Sequence, residues 1–249
     1  MKRLGVLTPS SNTVLEPATS RLLAPLDDRI SVHYSRFRVT RIAPDAGSDG
    51  QFDREPMLAA AELLADARVD AILWSGTSAA WLGLDADRRL VASIESATSV
   101  PATTSTLALL DALDALAVRR YGLVVPYVSP IADAIQRNLA DAGYACIAST
   151  AEGLTDNRSF AGVDGATLAE RVRSVAAAGP DAVVVHCTNL RGAEVAVALE
   201  DELGIPVLDS VIVGAWGALR LLDLPTDLPR LGRLAGAEAR PREPAPADA

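Results

Sequence analysis

The sequence predicts an α/β protein built from two pseudo-symmetric halves, each with a parallel sheet flanked by helices. Short apolar runs alternate with longer stretches of helical period, the pattern of successive strand–helix units. Several apolar runs are continuous and rich in Val, Ile and Leu, which indicates strands buried on both faces. The two halves of the chain also repeat each other. We therefore expect two Rossmann-like halves with the active site in the cleft between them, at the carboxyl ends of the strands.

The elements follow in order along the chain. The predicted strands are Leu4–Thr8, Ile30–Val39, Ala71–Ser75, Tyr121–Val125, Ala145–Ser149, Ala182–His186 and Val207–Asp209. The predicted helices lie near Glu55–Ala67, Asp87–Ala97, Leu107–Ala117, Ile131–Ala142, Ala166–Ala178 and Ala193–Leu203.

Three pairs of segments recur in the same order, at offsets of 117, 111 and 105 residues. The pairs are Gly5–Pro9 with Gly122–Pro126, Asp70–Thr77 with Asp181–Thr188, and Ser99–Pro101 with Gly204–Pro206. They predict an N-terminal half over residues 1–115, completed by 208–225, and a C-terminal half over 116–207. The segment 235–249, rich in Pro, Ala and charge, is predicted to be a disordered tail.

Composition narrows the function. A net charge of −9 argues against a nucleic-acid or anionic-membrane partner, because either needs a basic face. No apolar run reaches the ~20 residues of a membrane helix, and no signal peptide opens the chain, so a cytoplasmic location is expected. Two cysteines, two histidines and no phosphate-binding glycine loop predict neither a metal nor an organic cofactor. The oligomeric state stays open, a homo-oligomer included.

Cys187 is the leading catalytic candidate. A free cysteine is more often a small buried hydrophobe than a reactive thiol, but Cys187 follows a predicted strand and is itself followed by polar Thr188 and Asn189. Cys146 lies within a predicted strand and is expected in the core. His186 adjoins Cys187, yet neighbouring strand residues point to opposite faces, so no Cys–His dyad is expected.

Gly76 is the counterpart of Cys187 in the repeat and is followed by Thr77 and Ser78. Hydroxyls and backbone amides there would stabilise an enediolate, the anion formed when a carbanion develops beside a carboxylate. The plainer interpretation is that this loop caps the next helix. Tyr127 holds a similar place after a strand of the second half, where its phenol could bind a carboxylate oxygen.

Two further segments carry polar donors. Ser10 and Asn12 lie in Pro9–Thr13, after the first strand and before an expected helix start, which is a natural place for an anion. Asn157 lies in a loop after a strand. Both segments also fit ordinary turn chemistry.

Together these motifs resemble the aspartate/glutamate racemase superfamily, and within it the maleate cis-trans isomerase and arylmalonate decarboxylase group, over about residues 3–222. Pro9–Thr13 is similar to the opening motif of the isomerases. Gly76–Ser78, Tyr127 and the strand ending at Cys187 are similar to the decarboxylases, as are residues 97–104 and 117–120. The resemblance implies two Rossmann-like halves with the active site between them.

The chain also departs from each family. Racemases and isomerases of the group carry one cysteine in each half, whereas Gly76 stands here in place of the first, as in the decarboxylases. That speaks against two-base racemisation and against isomerisation begun by a first cysteine. Asn12 and Asn157 match carboxylate-binding asparagines of the isomerases. The decarboxylases have glycines after their cysteine, where this chain has Thr188 and Asn189.

The resemblance implies a cofactor-independent enzyme that forms a carbanion beside a carboxylate of a small malonate-type dicarboxylic acid and protonates it from Cys187. Thr77, Ser78 and Tyr127 would hold one carboxylate, while Asn12 and Asn157 would grip a second polar group. The alternatives are a maleate isomerase or an amino-acid-type racemase, or a non-catalytic dicarboxylate-binding protein. A Cys187 thiol that titrates well below ~8.5 would favour an enzyme, and an unreactive buried thiol a binder.

Overall fold

Two parallel four-stranded sheets form the framework of the chain in the computed structural model, which describes residues 1–238. The strands are β1 (Lys2–Pro9), β2 (Ile30–Phe37), β3 (Ala71–Trp74), β4 (Ala102–Thr104), β5 (Arg120–Tyr127), β6 (Ala145–Leu154), β7 (Ala182–Val185) and β8 (Val207–Asp209). Their orders are β2-β1-β3-β4 and β6-β5-β7-β8. The second sheet has the strand order of the first, with each strand four places later in the chain. This confirms the two similar halves that the sequence repeat predicts.

Helices follow most strands. They are α1 (Leu15–Leu23), α2 (Ala46–Asp49), α3 (Arg54–Asp66), α4 (Ala79–Leu82), α5 (Leu84–Thr98), α6 (Ser105–Ala115), α7 (Ser129–Asp141), α8 (Asn157–Phe160), α9 (Gly165–Ala176), α10 (Gly192–Leu203) and α11 (Ser210–Leu221). Short 3-10 turns cover Ala24–Leu26, Gly50–Phe52 and Pro229–Leu234.

The predicted elements are all present, with ends that differ by a few residues, but six strands and helices were not assigned from the sequence: β4, α1, α11 and the four-residue helices α2, α4 and α8. β4 has only three residues, too few for a pattern. For helix α1 only the start, after the Ser- and Asn-rich stretch Pro9–Thr13, was expected from the sequence. Helix α11 is buried along ten successive residues, so it lacks the polar face that makes helical period visible.

Glycines explain why the central strands β1 and β5 match in sequence. A Cβ at Gly5 would lie 3.1 Å from a Leu64 methyl on α3, and one at Gly122 would lie 3.0 Å from Val175 on α9. Each half therefore packs a helix closely onto its central strand at the equivalent position. This close packing fixes the carboxyl ends of the strands relative to the helices.

Helix α11 follows the last strand of the second sheet but packs on α6, the helix after β4. A Cβ at Gly217 would lie 2.7 Å from the Cβ of Ala108, so the two helices touch through small residues. The predicted limits of the two halves, including completion of the first by residues 208–225, stay a prediction. Most of the predicted tail, residues 239–249, lies outside the described residues.

Within residues 1–238, no helix is both long enough and apolar enough to cross a membrane.

Candidate active site

A cavity lies where the carboxyl ends of strands from both sheets meet. Its volume, measured for the centres of water-sized spheres, is about 20 Å³, so the cavity is narrow. Six residues predicted for the site line it: Gly76, Thr77, Tyr127, Asn157, Cys187 and Thr188. The remaining predicted residues, Ser10, Asn12, Ser78 and Asn189, do not line it. Each of these four lies next in the chain to, or hydrogen-bonds with, a residue on or beside the cavity wall.

Cys187 lies two residues beyond β7 and is 3% exposed. Burial raises the pKa of its thiol to about 11, although hydrogen bonds from the Tyr127 phenol and from the backbone of Asn189 and Leu190 act in the opposite direction. The Asn189 amide lies 3.4 Å from the sulfur. The thiol is therefore protonated at neutral pH, contrary to the low pKa expected of an enzyme. A protonated thiol cannot be the resting nucleophile, but it is the form that a proton donor requires.

The Tyr127 phenol connects the two halves of the site. Its oxygen lies 3.1 Å from Thr77 Oγ1, and burial, followed by the neighbouring Cys187, raises its pKa well above the ordinary value. The Ser78 side chain makes no capping hydrogen bond to helix α4. The interpretation of these hydroxyls as plain helix caps is therefore wrong, since the Thr77 hydroxyl is directed to Tyr127 instead.

The indole of Trp74 occupies the space next to Gly76. A Cβ at position 76 would lie 2.0 Å from Cζ2 of the indole, far inside contact distance. Trp74 is fully buried and packs on Phe37, with 5.0 Å between ring centroids. The first half of the site therefore lacks a cysteine and also lacks room for one while the indole keeps this position.

Neither His186, the neighbour of Cys187 in the chain, nor the other cysteine, Cys146, lines the cavity. His186 is 1% exposed, does not line the cavity, and has its pKa lowered by burial to about 4. The neutral, buried imidazole gives no support to a Cys–His dyad, in line with the sequence prediction. Cys146 is half-buried on β6 rather than in the core, and its thiol lies 3.3 Å from the carbonyl of Ala148.

Asn12 ties the loop after β1 to the second half. Its Oδ1 accepts the backbone N–H groups of Val14 and Leu15, which starts helix α1 as the sequence predicts. Its Nδ2 donates to Thr188 Oγ1 at 3.1 Å. Asn12 therefore orients a cavity-lining hydroxyl and reaches the cavity only through it.

Asn157 and Asn189 extend this connection. The Asn157 amide lines the cavity and donates to Ser11 Oγ at 2.8 Å. Asn189 accepts from the Thr13 amide at 3.0 Å and donates to the Asn157 carbonyl at 2.6 Å. Asn157 begins the short helix α8, whereas a loop was predicted.

Ser11 and its neighbour Ser10 also form hydrogen bonds to the backbone of Val39. Its hydroxyl donates to the Val39 carbonyl at 2.6 Å, while Ser10 Oγ accepts the Val39 amide at 3.1 Å. The loop after β1 is thereby held against the segment that follows β2, and Ser10 supports the cavity wall from behind.

The apolar side of the cavity was not predicted from the sequence. Trp74, Trp81 and Phe52 line it together with Val39 and Ile42. The Trp81 ring lies 5.3 Å from the Tyr127 ring and 5.6 Å from the Phe52 ring. One signal was available, because aromatic residues make up only 4% of the chain and two of its three tryptophans fall within six residues of Gly76.

Comparison with known proteins places this chain in a family. A family model described as arylmalonate decarboxylase matches residues 37–235, most of the chain. The chain belongs to the arylmalonate decarboxylase family. It is thus a member of the aspartate/glutamate racemase-like group of enzymes that the motifs resemble, and its two-half fold is the fold of that group.

The individual proteins similar to this chain are named either maleate isomerase or arylmalonate decarboxylase. The maleate isomerase of Nocardia farcinica is 28% identical over 94% of this chain and 95% of its own length. The arylmalonate decarboxylase of Bordetella bronchiseptica is 30% identical, but over only 61% of this chain and 60% of its own length. The relatives that span nearly the whole chain are maleate isomerases, so the names favour the isomerase alternative over the decarboxylase interpretation.

The solved structures that resemble this chain are likewise maleate isomerases and arylmalonate decarboxylases. A maleate cis-trans isomerase of Nocardia farcinica, a cysteine-to-serine mutant with a covalently bound succinylcysteine intermediate, has a TM-score of 0.86 at 27% identity and covers 94% of this chain and 97% of its own. A liganded arylmalonate decarboxylase, in which a glycine is replaced by cysteine and a cysteine by serine, has a TM-score of 0.79 at 26% identity, with 97% and 96% covered.

Proposed function

We propose that this protein forms and protonates a carbanion beside a carboxylate of a small dicarboxylic acid, and that decarboxylation of a malonate-type acid is the reaction its site supports best. The observation that carries this proposal is the single cysteine of the cavity. Cys187 stands on one side, while Gly76 on the other is covered by the Trp74 indole. Proton delivery from one side needs one thiol, whereas covalent addition followed by rearrangement needs a nucleophile as well.

The protonation state of Cys187 fits the role of a proton donor better than that of a nucleophile. With its pKa raised to about 11 by burial, the thiol holds a proton to give at neutral pH. Loss of carbon dioxide breaks the bond to the α carbon, and the electron pair spreads onto the remaining carboxylate as an enediolate. The thiol proton then passes to the α carbon. The resulting thiolate accepts hydrogen bonds from Tyr127 and the Asn189 amide until water returns a proton.

The two sides of the cavity suit two different carboxylates. Thr77 and Tyr127 provide hydroxyls for the carboxylate that is retained, where charge increases in the enediolate. Val39, Ile42 and Phe52 provide no hydrogen bond through their side chains. A carboxylate against these three side chains loses hydration and gains no hydrogen bond from them, and its departure as neutral carbon dioxide relieves the cost.

A second candidate is maleate cis-trans isomerisation. It is favoured by the maleate isomerases that match 93% to 94% of the chain. In this chain the addition would have to come from Cys187, because Gly76 supplies no nucleophile, and the thiol would first have to lose the proton that burial retains.

Proton NMR of the purified protein in D₂O distinguishes these reactions. The protein is offered a substituted malonate, then maleate, then aspartate. Deuterium at the α carbon together with release of carbon dioxide is the expected result. Fumarate formed from maleate would support the second candidate instead. Binding of these acids without exchange or turnover would overturn the catalytic proposal in favour of a dicarboxylate-binding protein.

A further inference from the structure

The indole N–H of Trp74 has no hydrogen-bond partner among the described residues. The side chain is fully buried at the end of β3, and its Nε1 is enclosed. Buried tryptophan N–H groups usually find an acceptor, because leaving a donor unpaired away from water is unfavourable. The same condition holds for Trp216 on α11, which does not line the cavity.

The position of this N–H distinguishes Trp74 from Trp216. The atom Cε2, which is bonded to Nε1, lies 2.3 Å from the point where a Cβ of Gly76 would stand. Trp74 also lines the cavity together with Gly76, Thr77 and Cys187. The carbon that carries the unpaired donor therefore lies beside Gly76, in the part of the site that is the counterpart of the cysteine side.

We propose that the Trp74 indole N–H donates a hydrogen bond to a carboxylate oxygen of the dicarboxylate bound between Gly76 and Cys187. This inference rests on the proposed function. The indole is a donor without acceptor capacity, so it recognises a carboxylate and rejects an ammonium group. It also closes the Gly76 side of the site to a second proton donor, which leaves Cys187 to protonate the product from one face.

NMR of ¹⁵N-labelled protein tests the contact directly. The chain has three tryptophans, hence three indole N–H signals, and Trp74→Phe identifies one of them by its loss. In the Cys187→Ala variant, where turnover is blocked, malonate and then maleate are titrated in. We expect the Trp74 signal to move downfield on binding while the Trp216 signal stays. Trp74→Phe should weaken binding roughly tenfold to a hundredfold, the range for a hydrogen bond to a charged group.

Trp216→Phe is the matched control, because it too removes an unpartnered, fully buried indole N–H but away from the cavity. It should leave malonate affinity unchanged. Full affinity in Trp74→Phe with an unmoved indole signal would overturn this inference and leave the proposed function standing. Should Trp74→Phe fail to fold, Trp81→Phe and Trp216→Phe assign the Trp74 signal by elimination. Absence of both binding and turnover in the unaltered protein would overturn the two proposals together.

Discussion

The hydroxyl of Thr77 lies 3.1 Å from the phenol oxygen of Tyr127, although 50 residues separate them in the chain. Thr77 follows a strand of the first sheet, and Tyr127 ends the central strand of the second. Tyr127 also neighbours the Cys187 thiol, where its phenol acts to lower the thiol pKa against the larger effect of burial. A chain of polar groups thus joins the loop proposed to hold a carboxylate to the thiol proposed to protonate its neighbouring carbon, and this chain needs both halves.

Removing the phenol should interrupt that connection. We expect Tyr127→Phe to lower kcat by roughly 10²- to 10³-fold, the range for loss of one donor to a developing anion. Tyr121→Phe is the control, because Tyr121 lies on the same strand, is equally buried, and faces Cys146 instead. Steady-state decarboxylation rates measure both variants. Equal rates for the two would argue against a role of the Tyr127 hydroxyl.

Cys187→Ala should reduce turnover by about 10²- to 10⁴-fold, the contribution of a positioned proton donor, while malonate binding persists. Calorimetric titration measures binding, and carbon dioxide release measures turnover. Cys146→Ala removes the other thiol of the chain, half-buried on β6 and away from the cavity, and should change neither quantity. Retained turnover in Cys187→Ala would remove this residue from the reaction.

The thiol of Cys187 should react slowly with iodoacetamide, because only the thiolate is alkylated and burial raises the pKa to about 11. Between pH 7 and 10 the rate should climb about tenfold per pH unit, without the levelling that an ordinary thiol shows near 9.0. A Cys146→Ser background leaves one thiol to follow by mass spectrometry. A plateau below pH 9 would show that the thiol is ionised and free to act as a nucleophile.

Much of this fold could be predicted from the sequence because its signals are local. Gly5 and Gly122 recur because a helix packs on each central strand at the same place. Position after a strand also identified Cys187, Thr77 and Tyr127 as neighbours in one cleft, since parallel strands of paired sheets end together.

The rest depends on side-chain directions that no local pattern contains. Whether Asn12 reaches the cavity or turns back to start helix α1 is decided by a contact with Thr188, 176 residues away. The pKa of Cys187 depends on complete burial, which its polar neighbours in sequence do not reveal. The indole over Gly76 likewise follows from the side-chain direction of Trp74, two residues earlier.

The two hydrogen bonds of the Asn189 side chain should contribute to the stability of the folded protein. Asn189 is 1% exposed and joins the Thr13 amide to the Asn157 carbonyl, so Asn189→Ala leaves both groups unpaired. We expect a loss of roughly 1–3 kcal/mol in the free energy of unfolding. Asn138→Ala removes a single hydrogen bond to a backbone carbonyl and should cost less. Denaturant unfolding measures the free energy of unfolding of both variants. An equal loss in the two would show that the side chain of Asn189 stabilises the fold no more than an ordinary hydrogen bond does.

Gly76→Cys tests whether the fold has room for a cysteine side chain at position 76, on the side of the cavity opposite Cys187. The new Cβ would lie 2.0 Å from the Trp74 indole, so the ring must shift within a packed core. Such overpacking costs about 1–3 kcal/mol, which lowers Tm by roughly 2 to 12 °C in a chain of this size. In a Trp74→Ala background the same substitution should cost far less, because the space is already empty. With room for a second thiol, that double variant should place deuterium on both faces of the α carbon and give a racemic product. A Gly76→Cys protein as stable as the parent would instead mean that the indole moves freely, and that Gly76 alone separates this site from a two-cysteine one.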